Sequence, residues 1–127
     1  MIPAGDLETL KSFESDGHLV LSVYLRLDSP QSRESAYADF VDRVQTELAE
    51  CNAQPECREA LKEDVEIVGM YLKANGHRRH ASLAIFSCAA QYFWRAYPLS
   101  APLPMHIAAG SKFDVEPLRQ AIEPPVA

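Results

Sequence analysis

Residues 19–27, with the sequence LVLSVYLRL, decide the fold. The odd positions are all Leu or Val, whereas the even positions mix apolar side chains with Ser22, Tyr24 and Arg26. Because the side chains of a β-strand alternate between its two faces, this pattern predicts a strand with one fully apolar face and one mixed face. Such a strand suits a sheet that is covered on one side and partly open on the other.

Two amphipathic helices are predicted after this strand. Residues 28–30 (Asp-Ser-Pro) break the strand, and Ser32 is suited to cap the next helix. Apolar side chains then recur at the helical spacings of three and four. They are Tyr37, Phe40, Val41, Val44 and Leu48 in the first helix, and Leu61, Val65, Val68 and Leu72 in the second. Because the turn at residues 52–54 is so short, the two helices should lie antiparallel, as a helical hairpin. The second helix begins at Pro55 and ends at residues 75–76 (Asn-Gly).

Shorter elements are predicted on both sides of this centre. Residues 7–13 carry a helical stripe that Asp6 heads and Gly17 closes. Residues 81–87 and 92–97 have the pattern of a β-hairpin, and residues 105–109 that of a further short strand. The prolines at 98, 102 and 104 are expected to keep their stretch extended and unpaired. A last helix runs from a cap at residue 114 to the Glu-Pro-Pro at 123–125.

The predicted fold class is α/β of the α+β type, in a single domain that covers residues 1–127. Its sheet has about four strands, mixed or antiparallel, with the antiparallel helical hairpin on one face and short N- and C-terminal helices. The length of 127 residues suits a single core.

The charge of the chain argues against a free-standing nucleic-acid binder. The formal net charge is −6 at pH 7, and such a charge repels phosphate. The distribution is uneven, because residues 1–30 carry −3, residues 31–75 carry −5 and residues 76–127 carry +2. The basic share of the chain therefore lies in its C-terminal part.

The sequence also predicts a cytoplasmic protein with no membrane partner. No apolar stretch approaches the roughly 20 residues that a membrane span requires. Asp6 and Glu8 stand near the start of the chain, where an export signal would carry basic residues. We therefore expect the chain to remain in the compartment in which it is made.

The three cysteines, Cys51, Cys57 and Cys88, are expected to be reduced thiols, because they are odd in number and the chain has no export signal. A pairing of Cys51 with Cys57, which flank the predicted turn between the helices, is the alternative. Their spacing matches no zinc pattern, and we predict neither a metal nor a cofactor.

The best candidate contact site lies between the second hairpin helix and the strand that follows it. His77, Arg78, Arg79 and His80 bring four cationic or switchable side chains together there. They suit phosphate or an acidic partner. The alternative is that they complement the dipole of the preceding helix on a solvated loop.

A second candidate is the aromatic strand around Arg95. Strand alternation sends Tyr92 and Trp94 to one side and Phe93, Arg95 and Tyr97 to the other. Aromatic and cationic groups in one strand are typical of proteins that stack single-stranded RNA. The alternative is that one set packs in the core and the other faces a neighbouring domain.

No complete catalytic site is predicted. A hydrolytic site would need a serine and a histidine, and the candidates are His18, His106, Ser22 and Ser87. The sequence contains no Gly-x-Ser-x-Gly elbow, and no acidic residue stands at a position that would identify it as their partner. The sequence also contains no glycine-rich phosphate loop.

Carboxylates of the helical hairpin alternate with cations, as on a solvated acidic face. The carboxylates are Asp39, Asp42, Glu47, Glu63, Asp64 and Glu66, and the cations are Arg43 and Lys62.

Several stretches together resemble the N-terminal domain of bacterial members of the archaeo-eukaryotic class-1 peptide-chain release factor family. Leu7, Leu10 and Phe13, followed by residues 18–28 (HLVLSVYLRLD), are similar to the start of those proteins. The helical hairpin, residues 82–87 (SLAIFS), the strand with Trp94 and Arg95, residues 98–99 and residues 115–118 (VEPL) then follow in the family order.

In that family, the N-terminal domain is followed by a middle domain that carries a Gly-Gly-Gln motif or a variant of it. A ribosome-associated C-terminal domain comes last. The sequence contains neither Gly-Gly-Gln nor the codon-reading Asn-Ile-Lys-Ser, so the resemblance implies no catalytic residue in this chain. It implies a non-catalytic N-terminal domain of a longer protein, associated with translation termination or ribosome rescue, that contacts the ribosome, tRNA or its neighbouring domains. The alternative is a structural module that self-associates without touching RNA.

Overall fold

The computed structural model describes residues 4–14, 18–50, 55–75 and 81–122. Its elements are the helices α1 (Ala4–Ser12), α2 (Pro30–Glu50), α3 (Pro55–Asn75) and α4 (Glu116–Ile122), and the strands β1 (Val20–Arg26), β2 (Ser82–Cys88), β3 (Phe93–Leu99) and β4 (His106–Gly110). A single 3₁₀ turn, Ala89–Gln91, connects β2 to β3. The chain has an α+β fold, as the sequence predicts.

All neighbouring strands of the sheet are antiparallel, in the order β3-β2-β1-β4. Val23 in the centre of β1 pairs with Ile85 of β2 on one side and with Ile107 of β4 on the other. The strand predicted first therefore lies inside the sheet. Of the two predicted alternatives, mixed or antiparallel, the structure has the antiparallel one.

The helical hairpin covers one face of the sheet, which we call the hairpin face. Phe40 and Val44 of α2 and Val68 of α3 are at most 1% exposed and pack in one cluster with Val23 and Ile85. Burial of side chains of this size contributes about 1.5–3 kcal/mol each. The helical spacing of the apolar residues thus predicts this core correctly apart from Tyr37, which is 38% exposed. The turn at residues 52–54 lies outside the described residues, but α3 does begin at Pro55.

The opposite face, here called the second face, is also covered, which corrects the expectation of a partly open sheet. Tyr24 on this face is fully buried, and it packs in a cluster with Leu10 of α1, Leu118 of α4 and Phe113. Polar side chains lie under this layer because their hydrogen bonds are satisfied. Ser22, for example, is 1% exposed and accepts a hydrogen bond from the backbone N–H of Asp114.

Two strand boundaries differ from the sequence prediction. Pro98 belongs to β3, opposite Leu83, although it was expected to be unpaired. An edge strand tolerates proline because the missing N–H points away from the sheet. Tyr92 lies outside β3 and has a positive φ of 54°, because the chain leaves the 3₁₀ turn there in the left-handed conformation.

The helix at the N-terminus begins before its predicted cap. Asp6 lies inside the first turn of α1, where its carboxylate accepts a hydrogen bond of 2.7 Å from the hydroxyl of Tyr97. The predicted closing residue, Gly17, lies outside the described residues. Asp114 does stand next to the start of α4, and its Oδ1 accepts a 3.4 Å hydrogen bond from the N–H of Glu116.

Candidate functional site

Of the predicted contact residues, Arg95 lies within the described part of the chain, whereas His77, Arg78, Arg79 and His80 lie outside it. Arg95 is exposed on the edge strand β3, on the same side as Phe93. Its guanidinium lies 4.7 Å from the centre of the Phe93 ring and donates a 2.7 Å hydrogen bond to the Trp94 carbonyl. The arginine therefore presents a positive charge to solvent from a held position.

Arg95 stands some way along the sheet from the point where the chain arrives from residues 76–80. The first residue of β2, Ser82, pairs with Leu99, and Leu99 is four residues from Arg95 on β3. At the strand rise, this separation is about 13 Å.

The predicted alternation of the aromatic strand is confirmed from Phe93 onward. Trp94 packs against the hairpin-face cluster, with its ring 5.5 Å from that of Tyr71, whereas Phe93 and Tyr97 belong to the cluster on the second face. Tyr92 is 98% exposed. Rings of both sets are thus used in packing within this domain. The alternative interpretation, in which the second set faces a neighbouring domain, stays a prediction.

A groove with a volume of about 490 Å³ lies between α3 and the connection from β2 to β3, and we call it the α3 groove. Its lining residues are Glu63, Ile67, Ser87, Ala89, Ala90, Tyr92, Phe93 and Trp94. Ile67 is 40% exposed, which is unusual for an isoleucine on a helix that packs against a sheet. Sequence reasoning missed this groove, because Glu63 was assigned to a solvated helix face and Ile67 was not singled out.

A buried carboxylate fixes the shape of the groove. Asp64 is 1% exposed, and its Oδ1 accepts hydrogen bonds from the hydroxyl of Ser87 and, at 2.7 Å, from the N–H of Ala89. These contacts tie the middle of α3 to the start of the 3₁₀ turn. Burial raises the pKa of the Asp64 carboxyl, although the two hydrogen bonds act in the opposite direction.

The burial of Asp64 corrects the prediction that it belongs to a solvated acidic face. The signal was present in the sequence, since residue 64 is three after Leu61 and four before Val68, both in the apolar stripe. A carboxylate at such a position needs hydrogen-bond donors from the sheet. Ser87 and the Ala89 N–H supply them.

Three of the four residues considered for hydrolysis have other partners. Ser22 and Ser87 lie on opposite faces of the sheet, where they bond to the backbone of Asp114 and to the carboxylate of Asp64, respectively. His106 contacts Asp114, which the sequence suggested only as a helix cap, with its Nε2 2.6 Å from Oδ2 of that carboxylate. The serines thus fix loops and helices to the sheet.

Asp114 connects the segment before α4 to two strands on the second face, β1 and β4. Its backbone carbonyl accepts a 2.6 Å hydrogen bond from the Tyr24 hydroxyl, its N–H bonds to Ser22, and its carboxylate meets His106. Burial raises the pKa of Tyr24, so that the phenol remains a hydrogen-bond donor. These contacts hold the segment before α4 against β1 and β4.

Of the three cysteines, Cys88 has a side chain that the structure describes. Cys88 is a free, buried thiol, and burial raises its pKa. Cys51 and the side chain of Cys57 lie outside the described residues, so their pairing stays an open alternative. Among the residues that the structure describes, no group of three or more histidines, cysteines and carboxylates is arranged to hold a metal ion. None of the described helices is long and apolar enough to cross a membrane.

Comparisons with known proteins add a fold but no family. The chain matches no protein-family model and no curated protein sequence. It is similar to a solved structure described as "Archaeal protein", with a TM-score of 0.70 and 14% sequence identity. The match covers 94% of this chain and 34% of that protein, so the chain spans about a third of its length. At this identity the similarity shows the fold alone.

Proposed function

We propose that this chain is a non-catalytic N-terminal domain of a release-factor-like protein that acts in the cytoplasm in translation termination or ribosome rescue. Its role is to contact the ribosome, tRNA or neighbouring domains. His77, Arg78, Arg79, His80 and Arg95 are the proposed contact residues.

The observation that carries this proposal is the place of the family-like stretches in the fold. Residues 18–28 include the inner strand β1, residues 82–87 include most of β2, and residues 115–118 lead into α4. The stretches that resemble the family are thus the ones that build both faces of the sheet, in the family order. The same fold as about a third of a longer solved protein supports a role as one domain among several.

The burial and the hydrogen bonds of the two serines support a non-catalytic role. Ser22 is 1% exposed and is held by the backbone of Asp114, and Ser87 is bonded to a buried carboxylate. A nucleophile needs a base that takes its proton and an open approach for substrate. Ser22 and Ser87 are both 1% exposed, so a substrate has no open approach to either hydroxyl.

The test is co-sedimentation of the full-length protein with purified bacterial ribosomes over a series of salt concentrations. If Arg95 contacts phosphate, Arg95→Gln weakens binding and lowers the slope of log affinity against log salt by about 1. Arg78→Gln with Arg79→Gln lowers it further. Lys11→Gln is the matched control, since Lys11 is an exposed cation on α1 and its loss changes the net charge equally. Equal sedimentation and equal slopes for all variants would reject the proposed contact residues.

The second candidate function, a self-associating structural module, is favoured by one observation. The outer face of the helical hairpin exposes Met70 at 70% and Tyr37 at 38%, beside a second groove of about 390 Å³. Large exposed apolar side chains that lie close together mark interaction surfaces. Light scattering of this chain across a range of concentrations decides the matter, because a mass that stays monomeric throughout contradicts self-association.

A further inference from the structure

The α3 groove combines an apolar floor, aromatic rings and a negative charge. Ile67, Ala89 and Ala90 supply apolar contacts, and Tyr92 and Trp94 supply aromatic rings. Of the described lining residues, Glu63 is the charged one, and it lies exposed on α3. A ligand that fits this chemistry has an aliphatic stem and a cationic head.

The β2–β3 connection holds Tyr92 at the groove in a conformation that costs free energy. A tyrosine with a φ of 54° is disfavoured by contact of its Cβ with the backbone, and this ring gains no burial in return because it is 98% exposed. The contacts of Asp64 with Ser87 and Ala89 hold the turn in place. Strained residues that the surrounding structure fixes are concentrated at binding sites.

The charge of the surrounding surface favours a basic partner. Residues 31–75, which include α3, carry a net charge of −5. Aromatic faces attract cations through their quadrupole, and a nearby carboxylate adds a charge-assisted hydrogen bond. Phosphate, in contrast, would meet Glu63 and a negatively charged helix.

We propose that the α3 groove binds an arginine side chain of a partner polypeptide. The aliphatic stem of the arginine packs on Ile67 and Ala89, and its guanidinium stacks on the rings of Tyr92 and Trp94 and pairs with the Glu63 carboxylate. Arginine is preferred to lysine because its flat guanidinium stacks on aromatic rings. This inference is separate from the ribosome contact proposed for Arg95, although the Arg95 guanidinium lies 4.7 Å from the ring of Phe93, which also lines the groove.

The chain provides its own probe for this site, since Trp94 is its single tryptophan. We expect a blocked hexapeptide of alternating arginine and leucine to change the Trp94 fluorescence in a saturable way. The same peptide with citrulline for arginine keeps the shape but loses the charge, and we expect it to bind at least about fivefold more weakly. A lysine version should bind with intermediate strength.

Two variants separate the site from general charge effects. Glu63→Gln should weaken the arginine peptide about fivefold. Glu66→Gln, which removes the same charge from an exposed position of α3 in the other groove, should leave binding unchanged. Equal losses for both variants would mean that the charge of the hairpin as a whole attracts the peptide, and would overturn the site.

Tyr92→Gly removes the aromatic ring from the groove and should not destabilise the turn. Glycine adopts a positive φ without steric cost, so the variant should unfold at no lower urea concentration than the parent chain while its arginine-peptide affinity falls about threefold or more.

Three further outcomes overturn the proposal. They are no response to the arginine peptide up to millimolar concentration, equal binding of the arginine and citrulline peptides, and a saturable response to oligouridylate that Tyr92→Gly abolishes. The last outcome would assign the rings to RNA stacking instead. Ribosome co-sedimentation of the Glu63 and Arg95 variants is scored separately, so that failure of one proposal leaves the other intact.

Discussion

At the scale of single residues, prediction from the sequence was wrong about the exposure of polar side chains that are buried. Asp64 and Ser22 have polar types that suggest solvent, yet each is 1% exposed. Their burial depends on partners far away in the chain: Asp64 meets residues 87 and 89, and Ser22 meets residue 114. A pattern within one helix or strand reports which face is apolar, but it does not report which hydrogen-bond donors the opposite element supplies.

The burial of Asp64 predicts a specific dependence of stability on pH. Its pKa is raised by folding, so between the unfolded and folded pKa values the native state holds more protons than the unfolded state. Its contribution to stability is therefore fully present below the unfolded pKa and is lost as pH rises through the folded pKa. The loss is at most about 1.4 kcal/mol per pH unit in that window.

Urea unfolding of the parent chain and of Asp64→Asn over a pH series measures this effect. The asparagine amide oxygen accepts the same two hydrogen bonds but does not titrate. We expect the free energy of unfolding of the parent to fall relative to that of Asp64→Asn as pH rises above about 4. Glu66→Gln controls for the removal of one carboxylate from the same helix. A difference between the parent and Asp64→Asn that stays constant with pH would contradict the prediction.

At the scale of elements, sequence periodicity predicted the helices and the inner strands well, but it placed the ends of the edge strand β3 poorly. The stripe from Leu61 to Leu72 is long enough to define the buried side of α3 over three turns. Tyr92, in contrast, was assigned to a strand because tyrosine has high β-propensity, and the 3₁₀ turn overrode that propensity. Neither groove was predicted, because a groove depends on how far apart two elements pack.

Gly69 in α3 offers a test of how tightly the two hairpin helices pack. Glycine inside a helix costs about 1 kcal/mol relative to alanine. A Cβ at position 69 would lie 3.3 Å from Cε2 of Tyr37, which is a close contact. Tyr37 is 38% exposed, so its ring has room to shift by a few tenths of an ångström. We therefore expect Gly69→Ala to raise the free energy of unfolding by about 0.5–1 kcal/mol.

Thermal or urea unfolding of Gly69→Ala checks this expectation, with Ala38→Gly at an exposed interior position of α2 as the matched control. The control should lose about 1 kcal/mol, which calibrates the propensity in the helical hairpin. If Gly69→Ala is destabilised instead, the approach of Tyr37 to α3 is rigid, and the glycine is required by packing.

At the scale of the whole molecule, the sequence predicted one layer and the fold has two. The helical hairpin lies in one continuous stretch, so its amphipathic pattern is readable. The layer on the second face is assembled from both ends of the described chain, with Leu7 and Leu10 from α1 and Leu118 from α4. Each of these elements contributes only a few apolar residues. Their burial together depends on contacts between distant parts of the chain, which a local sequence pattern does not indicate.

Because β1 and β2 contribute side chains to both cores, the two layers should unfold together. Phe113 on the second face contacts the rings of Phe13, Phe86 and Phe93, at centroid distances of 5.1 to 5.5 Å. Phe113→Ala removes these contacts and should cost about 3–5 kcal/mol. Trp94 reports on the hairpin face, which the substitution does not touch.

We expect Phe113→Ala to lower the urea midpoint of Trp94 fluorescence and of far-ultraviolet circular dichroism by the same amount, because a small single domain unfolds in one cooperative step. Phe40→Ala, in the core of the hairpin face, is the matched control and should shift both signals in the same way. If Phe113→Ala shifts the circular dichroism but leaves the Trp94 midpoint in place, the second layer unfolds on its own. The sheet with its helical hairpin would then be the stable unit, with the terminal helices as a separable cover.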